Sequence, residues 1–209
     1  MTNSANSGAH STRLDDSADG AIPTQKLVIT PATAHAFQVQ LLTAQRPGEV
    51  RLMRWANVDL HKGWWSIPAL VAKNGRPHRV PLTKRVLDIL QSRREQATDD
   101  AIFVFENRPG SGSIAHRGKK AASALCKTLT SQFRAHDLRR TAATRMAEAG
   151  VRREHIAKVL NHTDDGPAAT RVYDRYDYDA EKRHALEMWS RRFDAILESN
   201  AGKVVRMRR

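Results

Sequence analysis

The spacing of apolar residues predicts a mostly helical chain. Between residues 33 and 54 the spacing is helical, with a break at the R-P-G sequence of residues 46–48, where proline and glycine force a turn. Glu49 is predicted to begin the next helix. The same spacing predicts five further helices: one that Thr83 can cap, and the segments 113–130, 137–149, 153–160 and 180–197.

Two short segments between the helices predict β-strands. They cover residues 64–68 and 78–82, and Asn74-Gly75 between them is a pair typical of a hairpin turn. Residues 102–104 predict a third short strand. The fold class is therefore α+β and mainly α, a helical domain with a small antiparallel β-sheet. We expect this domain over residues 27–198, between a disordered N-terminal tail (residues 1–26) and a basic C-terminal tail (residues 199–209).

The charge of the chain points to a polyanionic partner. There are 35 Lys and Arg against 22 Asp and Glu, a formal net charge of +13, and phosphate contacts dominate affinity for nucleic acids. No apolar run is long enough for a membrane span and no signal pattern opens the chain, so we expect a cytoplasmic protein without membrane partners. Cys126 is the only cysteine, which excludes an internal disulfide and a multi-cysteine metal site. A small buried helix residue is its expected role.

The segment H-D-L-R-R, residues 136–140, carries the clearest chemistry. It opens a predicted helix, on which positions i and i+3 share a face, so His136 and Arg139 point the same way. A group that titrates near neutral pH beside a permanent, two-pronged cation suits a phosphate. Arg140 points about 100° away from Arg139 and is expected to serve structure or backbone contacts instead.

Three other segments complete an ordered set of motifs. They are T-A-Q-R-P-G-E-V with Arg46, A-K-N-G-R-P-H-R-V-P-L with Lys73, and L-N-H-T-D-D-G with His162, which Tyr173 follows in V-Y-D-R. Together with H-D-L-R-R, this set resembles the catalytic domain of the tyrosine recombinases, the phage-integrase family. The resemblance runs from about residue 41 to the last predicted helix. Each motif alone is weak, and their shared order makes the signal strong.

The resemblance implies a site-specific recombinase that cleaves and rejoins double-stranded DNA through a 3′-phosphotyrosyl intermediate. Arg46 and Arg139 would hold the non-bridging oxygens of the scissile phosphate and stabilise the charge of the transition state. Lys73 would protonate the leaving 5′-oxygen, His136 would accept or relay the nucleophile's proton, and His162 would donate a further hydrogen bond. The phosphotyrosyl bond conserves the energy of the phosphodiester, so no ATP, metal, cofactor or small-molecule ligand is expected.

Three tyrosines compete for the role of nucleophile, and the chain has no others. Tyr173 lies eleven residues after His162 and precedes Asp-Arg, which fits the family pattern best. Tyr176 is the second choice. Tyr178 is expected to be an opening residue of the last helix.

The chain departs from the family pattern at three places. Ala44 and Asn161 stand where the family usually has glycine, two residues before the first arginine and directly before the second histidine. Both changes are small, and we expect the site to tolerate them. Complete integrases also carry a helical DNA-binding domain ahead of the catalytic one, whereas only about 25 residues without a helical pattern precede this domain. A catalytic domain without that DNA-binding domain would contact fewer phosphates and would bind DNA weakly, because phosphate contacts set the affinity.

Two other functions compete with this interpretation. A non-catalytic, N-terminally truncated DNA-binding remnant of an integrase is favoured by the short N-terminal part, and it is opposed by the complete set of six motif residues. A metal-dependent hydrolase that uses His136, His155 and His162 is opposed by the absence of histidine or carboxylate clusters at ligand spacing.

The last predicted helix bears on assembly. Leu186, Trp189 and Phe193 form an apolar stripe on one of its faces. The resemblance implies a homotetramer on DNA, in which the segment after the nucleophile docks on a neighbouring subunit. Packing of the stripe on its own domain is the alternative that the sequence leaves open.

Overall fold

The computed structural model of the protein describes residues 30–106, 112, 134–162 and 176–201. The predicted fold class is confirmed, since these residues form helices around one small antiparallel sheet. The helices are α1 (Pro31–Thr43), α2 (Pro47–Arg51), a 3₁₀ turn (Trp55–Asn57), α3 (Lys84–Glu95), α4 (Ala135–Glu148), α5 (Arg153–Val159) and α6 (Asp179–Ala201). The strands are β1 (Val58–Asp59), β2 (Trp64–Ile67) and β3 (His78–Pro81).

The break between α1 and α2 lies where the R-P-G sequence predicts it. Ala44 follows α1 in the left-handed region, with φ 57°, and turns the chain away from the helix axis. α2 begins at Pro47, before the predicted start at Glu49, because proline fits a first helical turn that needs no N–H donor. Glu49 is then the third residue of α2, and its carboxylate accepts a hydrogen bond from the backbone N–H of Arg46 at 3.1 Å.

The sheet has the order β1-β2-β3, and both pairs are antiparallel. In the β2–β3 pair, Trp64 lies opposite Pro81 and Ile67 opposite His78, as the two predicted strands require. The connection between them, residues 68–77, is longer than a two-residue hairpin. Within it Gly75 has a φ of 69° and donates to the carbonyl of Ala72 at 3.0 Å, so the predicted turn is present at a distance from the strand ends.

Two strand assignments differ from the sequence prediction. The predicted strand at residues 102–104 is wrong, because it makes a single bridge between Phe103 and Arg54. β1 was not predicted, since two residues are too few to show an alternating pattern. The helix at 137–149 in the prediction starts earlier in the structure, at Ala135, and this places His136 in its first turn.

The apolar stripe of the last helix packs on its own domain. Leu186 and Trp189 are fully buried, and the indole N–H of Trp189 donates to the carbonyl of Leu41 at 2.9 Å. α6 contacts α1, α4, α5 and β3. Self-packing, the alternative that the sequence left open, is thus the arrangement in this structure, and it joins the C-terminal helix to the elements that carry the motifs.

Several predictions fall on other parts of the chain. The tail at 1–26, the helix at 113–130, Cys126 and residues 202–209 lie outside the described residues. None of the helices in the described ranges is long and apolar enough to cross a membrane.

Candidate active site

The segments that carry the motifs meet at the C-terminal end of α5. The last carbonyls of a helix have no partner within it and need donors from elsewhere. The carbonyl of Val159 accepts from Nε2 of Gln45 at 2.9 Å and from Nε2 of His78 at 3.0 Å. Gln45 directly precedes Arg46, and His78 opens β3. The first arginine motif and the lysine hairpin are therefore both fixed to this helix end.

The carbonyls of the next two residues, Leu160 and Asn161, accept hydrogen bonds from two further side chains. Nη2 of Arg139 donates to the carbonyl of Leu160, and Nδ2 of Asn74 donates to the carbonyl of Asn161 at 2.9 Å. We refer to the three carbonyls of residues 159–161 as the carbonyl junction. His162 follows directly and is exposed. The junction thus aligns three sequence-distant segments with the turn that carries the second motif histidine.

Arg139 is held inside the protein by the backbone. It is 3% exposed, and Nη1 donates to the carbonyl of Ala44 at 2.8 Å in addition to the bond to Leu160. Burial, and then the nearby Arg46 guanidinium, lower the pKa of Arg139 to about 10, while Glu49 opposes this shift. The side chain stays charged at neutral pH, with two of its five N–H groups engaged by the fold.

A buried carboxylate joins the first arginine to the lysine hairpin. Glu49 is 3% exposed, and its Oε1 lies 3.1 Å from Nη1 of Arg46. The same oxygen accepts from the backbone N–H of Lys73 at 3.3 Å. The Lys73 side chain itself is exposed. Sequence reasoning missed Glu49 as a site residue, although a carboxylate three residues into a helix is a recognisable capping signal.

His136 lies in the first turn of α4, exposed, close to the two motif arginines. Desolvation, then the guanidiniums of Arg139 and Arg140, lower the pKa of His136, and Arg46 adds to this effect. These effects favour the uncharged imidazole, the form that can accept a proton. Arg140 is 77% exposed and pairs with Asp137 at 3.7 Å, consistent with its predicted separation from Arg139 on the helix.

His78 is a second histidine near the arginines, and sequence reasoning missed it. It is 7% exposed, and burial, Lys182, Arg139 and Arg46 lower its pKa to about 4, against the hydrogen bond to Val159, which raises it. Because a carbonyl only accepts, Nε2 of this neutral ring carries the proton. One pattern in the sequence could have indicated that His78 is buried: side chains alternate along a strand, which puts His78 on the same inward face as Val80.

The two departures from the glycine pattern both have a positive φ. Ala44 has a φ of 57° and Asn161 a φ of 48°. Glycine adopts this region without strain, which explains why it suits both positions. Asparagine tolerates the region better than alanine does. The carbonyls of both residues accept hydrogen bonds in the site, from Arg139 and Asn74 respectively.

Two of the three candidate tyrosines are described. The hydroxyl of Tyr176 donates to Oε1 of Glu181 at 3.3 Å, and the Glu181 carboxylate raises the pKa of Tyr176. Tyr178 directly precedes α6 and lies under the Lys158 ammonium, 4.2 Å from the ring centre. Tyr173 lies outside the described residues, and its assignment as nucleophile stays a prediction.

A cleft of about 430 Å³ opens beside the junction, between the β2–β3 connection, the end of α5 and the start of α6. Its walls include His78, Lys158, His162, Tyr178 and Lys182. Across the described ranges, no group of three or more His, Cys, Asp or Glu residues is arranged to hold a metal ion. The cleft is thus bordered by cations and hydrogen-bond donors, and also by the carboxylates Asp177 and Asp179, of which Asp179 pairs with Lys182 at 2.9 Å.

Known proteins share both the sequence pattern and the fold. The model of the phage integrase family matches residues 22–179. Prophage integrase IntA of Escherichia coli K12 is 31% identical over 182 residues, which cover 85% of this chain and 42% of that protein. The chain thus spans about two fifths of the length of this relative.

Solved structures show the same fold at low sequence identity. The integrase from mycobacterium phage Brujita superimposes with a TM-score of 0.59 at 17% identity, covering 78% of this chain and 53% of that one. The XerH site-specific recombinase, bound to its difH substrate in a pre-cleavage complex, gives 0.50 at 17% identity, covering 76% and 47%. These likenesses show the fold, and the family match over residues 22–179 shows that the chain belongs to the phage integrase family of tyrosine recombinases.

Proposed function

We propose that this chain is the catalytic part of a site-specific recombinase that cleaves and rejoins double-stranded DNA through a 3′-phosphotyrosyl intermediate. The observation that carries the proposal is that Arg139 joins the other motif segments: it donates to the carbonyl of Ala44, two residues before Arg46, and to the carbonyl of Leu160, two residues before His162. Two guanidinium groups and the nearby imidazole of His136 suit a phosphodiester. The net charge of +13 and the likeness to a recombinase solved with its difH substrate support DNA as the partner.

In the proposed reaction, the hydroxyl oxygen of Tyr173 attacks the scissile phosphorus, and His136 takes the proton of that hydroxyl. The bond from phosphorus to the 5′-oxygen breaks, and the 5′-oxygen takes a proton from the Lys73 ammonium. The 3′-phosphate remains bonded to the tyrosine. Attack of a 5′-hydroxyl reverses these steps and releases the enzyme, so the energy of the original bond is retained.

The arginines supply the electrostatic part of the proposal. Arg46 and Arg139 bind the non-bridging oxygens, whose negative charge increases in the transition state. Because the fold fixes Arg139 through the carbonyls of Ala44 and Leu160, it needs little reorganisation when the phosphate arrives. His162, directly after the carbonyl junction, donates a further hydrogen bond.

The contacts of Tyr176 favour Tyr173 as the nucleophile. A hydroxyl that donates to the Glu181 carboxylate, and whose pKa this carboxylate raises, is less able to give up its proton for attack. Tyr178 directly precedes α6 and its ring packs on Lys158. The arrangement of Tyr176 does not prepare a phenolate.

The alternative function is DNA binding without catalysis, by a truncated relative of an integrase. The net charge of +13 supports this function equally well, because phosphate contacts dominate affinity for nucleic acids whether or not the DNA is cleaved. We further propose that active complexes are homotetramers on paired DNA sites.

The covalent intermediate separates the two functions. Duplexes from the DNA flanking the gene, nicked near the candidate cleavage site, are incubated with protein in the presence of a chelator and without nucleotide. We expect an adduct on a denaturing gel for the wild type and for Tyr176→Phe, and none for Tyr173→Phe. Light scattering of the complex tests for four protomers per pair of sites.

Two results would contradict the proposal. An adduct absent from every flanking sequence, with DNA binding intact, would favour the non-catalytic function. An adduct retained in Tyr173→Phe and lost in Tyr176→Phe would transfer the role of nucleophile to Tyr176.

A further inference from the structure

Two asparagines form a reciprocal amide contact across the candidate site. Nδ2 of Asn74 donates to the backbone carbonyl of Asn161 at 2.9 Å, and Nδ2 of Asn161 donates to Oδ1 of Asn74 at 3.3 Å. Nδ2 of Asn161 also lies 3.5 Å from the carbonyl oxygen of Arg76. The backbone N–H of Arg76 in turn donates to Oδ1 of Asn74 at 3.2 Å. Both amide side chains are thus engaged with the opposite segment.

The contact joins two motif residues that are far apart in the sequence. Asn74 directly follows Lys73, and Asn161 directly precedes His162, so the contact spans 87 residues of chain. On the other side of the turn, the Lys73 backbone N–H is held by the buried Glu49 carboxylate. The long β2–β3 connection is therefore fixed at its tip from two directions, while the Lys73 side chain is left exposed to the surrounding space.

The identity of residue 161 makes the second of these hydrogen bonds possible, whereas the first goes to its backbone carbonyl. The backbone φ of 48° admits glycine or asparagine with little strain. Glycine, the usual residue of the family pattern at this position, supports the turn but has no side chain to donate. Asn161 keeps the turn and adds a donor that reaches the hairpin. Fixing the connection in the free protein removes an ordering cost that would otherwise fall on the reacting complex.

We propose that Asn74 and Asn161 form an amide clamp that positions Lys73 for proton transfer to the leaving 5′-oxygen, in register with His162. The proposal rests on the general-acid role given to Lys73 above. Both asparagines are positioning residues that act through the lysine turn. Displacement of a reacting group by about 1 Å costs on the order of a hundredfold in rate, so loss of the clamp should slow cleavage by about tenfold to a hundredfold.

The test compares two leaving groups. Cleavage rates are measured on the nicked duplex and on the same duplex with sulfur in place of the bridging 5′-oxygen, because a thiolate leaves without being protonated. Asn161→Gly and Asn74→Ala should be slow on the oxygen substrate and close to wild type on the sulfur substrate. Asn57→Ala is the matched control, from the 3₁₀ turn, and should equal the wild type on both.

Two catalytic variants calibrate this comparison. Lys73→Ala should show the same recovery on sulfur as the clamp variants, and Arg46→Ala should be slow on both substrates. The double variant Asn74→Ala/Asn161→Gly should be no slower than Asn74→Ala, because Asn74→Ala already removes both hydrogen bonds between the two residues, whereas Asn161→Gly removes one of them. Equal slowing of Asn161→Gly on oxygen and sulfur, or a wild-type rate on oxygen, overturns the clamp. Failure of sulfur to rescue Lys73→Ala overturns the role of the lysine instead.

A second measurement does not depend on activity. If the wild type forms no adduct, the proposed function fails, and amide hydrogen exchange at residues 72–76 decides the clamp. We expect exchange about three- to tenfold faster in Asn161→Gly and in Asn74→Ala than in the wild type or Asn57→Ala. Unchanged exchange shows that the amides do not hold the turn and overturns the proposal.

Discussion

The candidate site has two parts that the fold holds to different degrees. In the buried part, Arg139 and Glu49 are each 3% exposed. Arg139 donates to the backbone carbonyl of Ala44, and the Glu49 carboxylate accepts from the backbone N–H of Lys73. In the outer part, the side chains of Lys73, His136 and His162 are exposed. Arg139, one of the two groups proposed to stabilise charge, is therefore set before a ligand arrives, whereas the groups proposed for proton transfer and hydrogen bonding face the solvent.

This difference in exposure matches the different roles proposed for the two parts of the site. A buried guanidinium keeps its orientation, which electrostatic stabilisation of a transition state requires. An exposed lysine or histidine keeps its freedom to meet a large ligand such as a duplex. The outer groups are then positioned indirectly, through backbone anchors such as the N–H of Lys73 and the turn before His162. Three measurements can break or sharpen the comparison.

The largest effect should come from Arg139→Lys. One ammonium cannot replace two directed N–H groups, so a buried carbonyl of Ala44 or Leu160 loses its donor, at a cost of about 3 kcal/mol or more in the free energy of unfolding. Urea unfolding without DNA measures this. Arg140→Lys, on the exposed neighbour, should stay within about 0.5 kcal/mol. Similar losses in the two variants would show that the buried arginine is not part of the structural framework.

A smaller effect should appear as a pH dependence of stability that His78 causes. Its pKa is about 4 in the folded protein and about 6.5 when unfolded, so the unfolded state binds more protons between these values. Stability is fully present above pH 6.5 and falls by up to about 3 kcal/mol as the pH is lowered towards 4. His78→Gln should flatten this part of the urea-midpoint profile.

The exposed His61 offers the control for this measurement. His61→Gln should keep the wild-type slope between pH 6.5 and 4, because it leaves the buried imidazole in place. If His78→Gln and wild type lose stability in parallel over this range, His78 is more accessible to protons than its 7% exposure indicates.

The smallest effect should be at Ala44. Replacement by glycine relieves the strain of a φ of 57° but removes a buried methyl group, and these contributions nearly cancel, to within about 0.5 kcal/mol. Ala36→Gly, at a buried position inside α1, has no strain to relieve and should cost about 1 kcal/mol or more. Thermal unfolding of both variants gives the difference. Equal destabilisation would mean that Ala44 is not strained in solution.

The helices were predictable because their signals are local. The R-P-G sequence ends one helix and starts another, and the stripe of Leu186 and Trp189 repeats at helical spacing. The strand predicted at residues 102–104 is only a single bridge between Phe103 and Arg54, because an apolar triplet does not specify how far its pairing with another segment extends. β1 was missed because pairing with β2 defines it, and two residues carry no pattern of their own.

The motifs of the site could be predicted from the sequence, but the hydrogen bonds that join them could not. The order of the motifs pointed to Arg46, His136 and Arg139, but the contacts that join them depend on tertiary structure. Gln45 and His78 reach the same carbonyl of Val159 from segments more than 80 residues away. Their side chains carry no catalytic signature, so only the folded chain shows that they hold the motif segments in place. The assignment of the six motif residues stays a prediction.

The carbonyl junction has a consequence for exchanging parts between relatives. Each motif segment is adjusted to a backbone turn that a different segment supplies, so a hairpin grafted from another integrase would arrive without its matched acceptor. Asn74 and Asn161 would have to be transferred together into a chimera, and so would Gln45 and the turn that follows α5. Chimeric recombinases built at these boundaries should therefore work when the end of α5 is transplanted with the hairpin, and fail when the hairpin is transplanted alone.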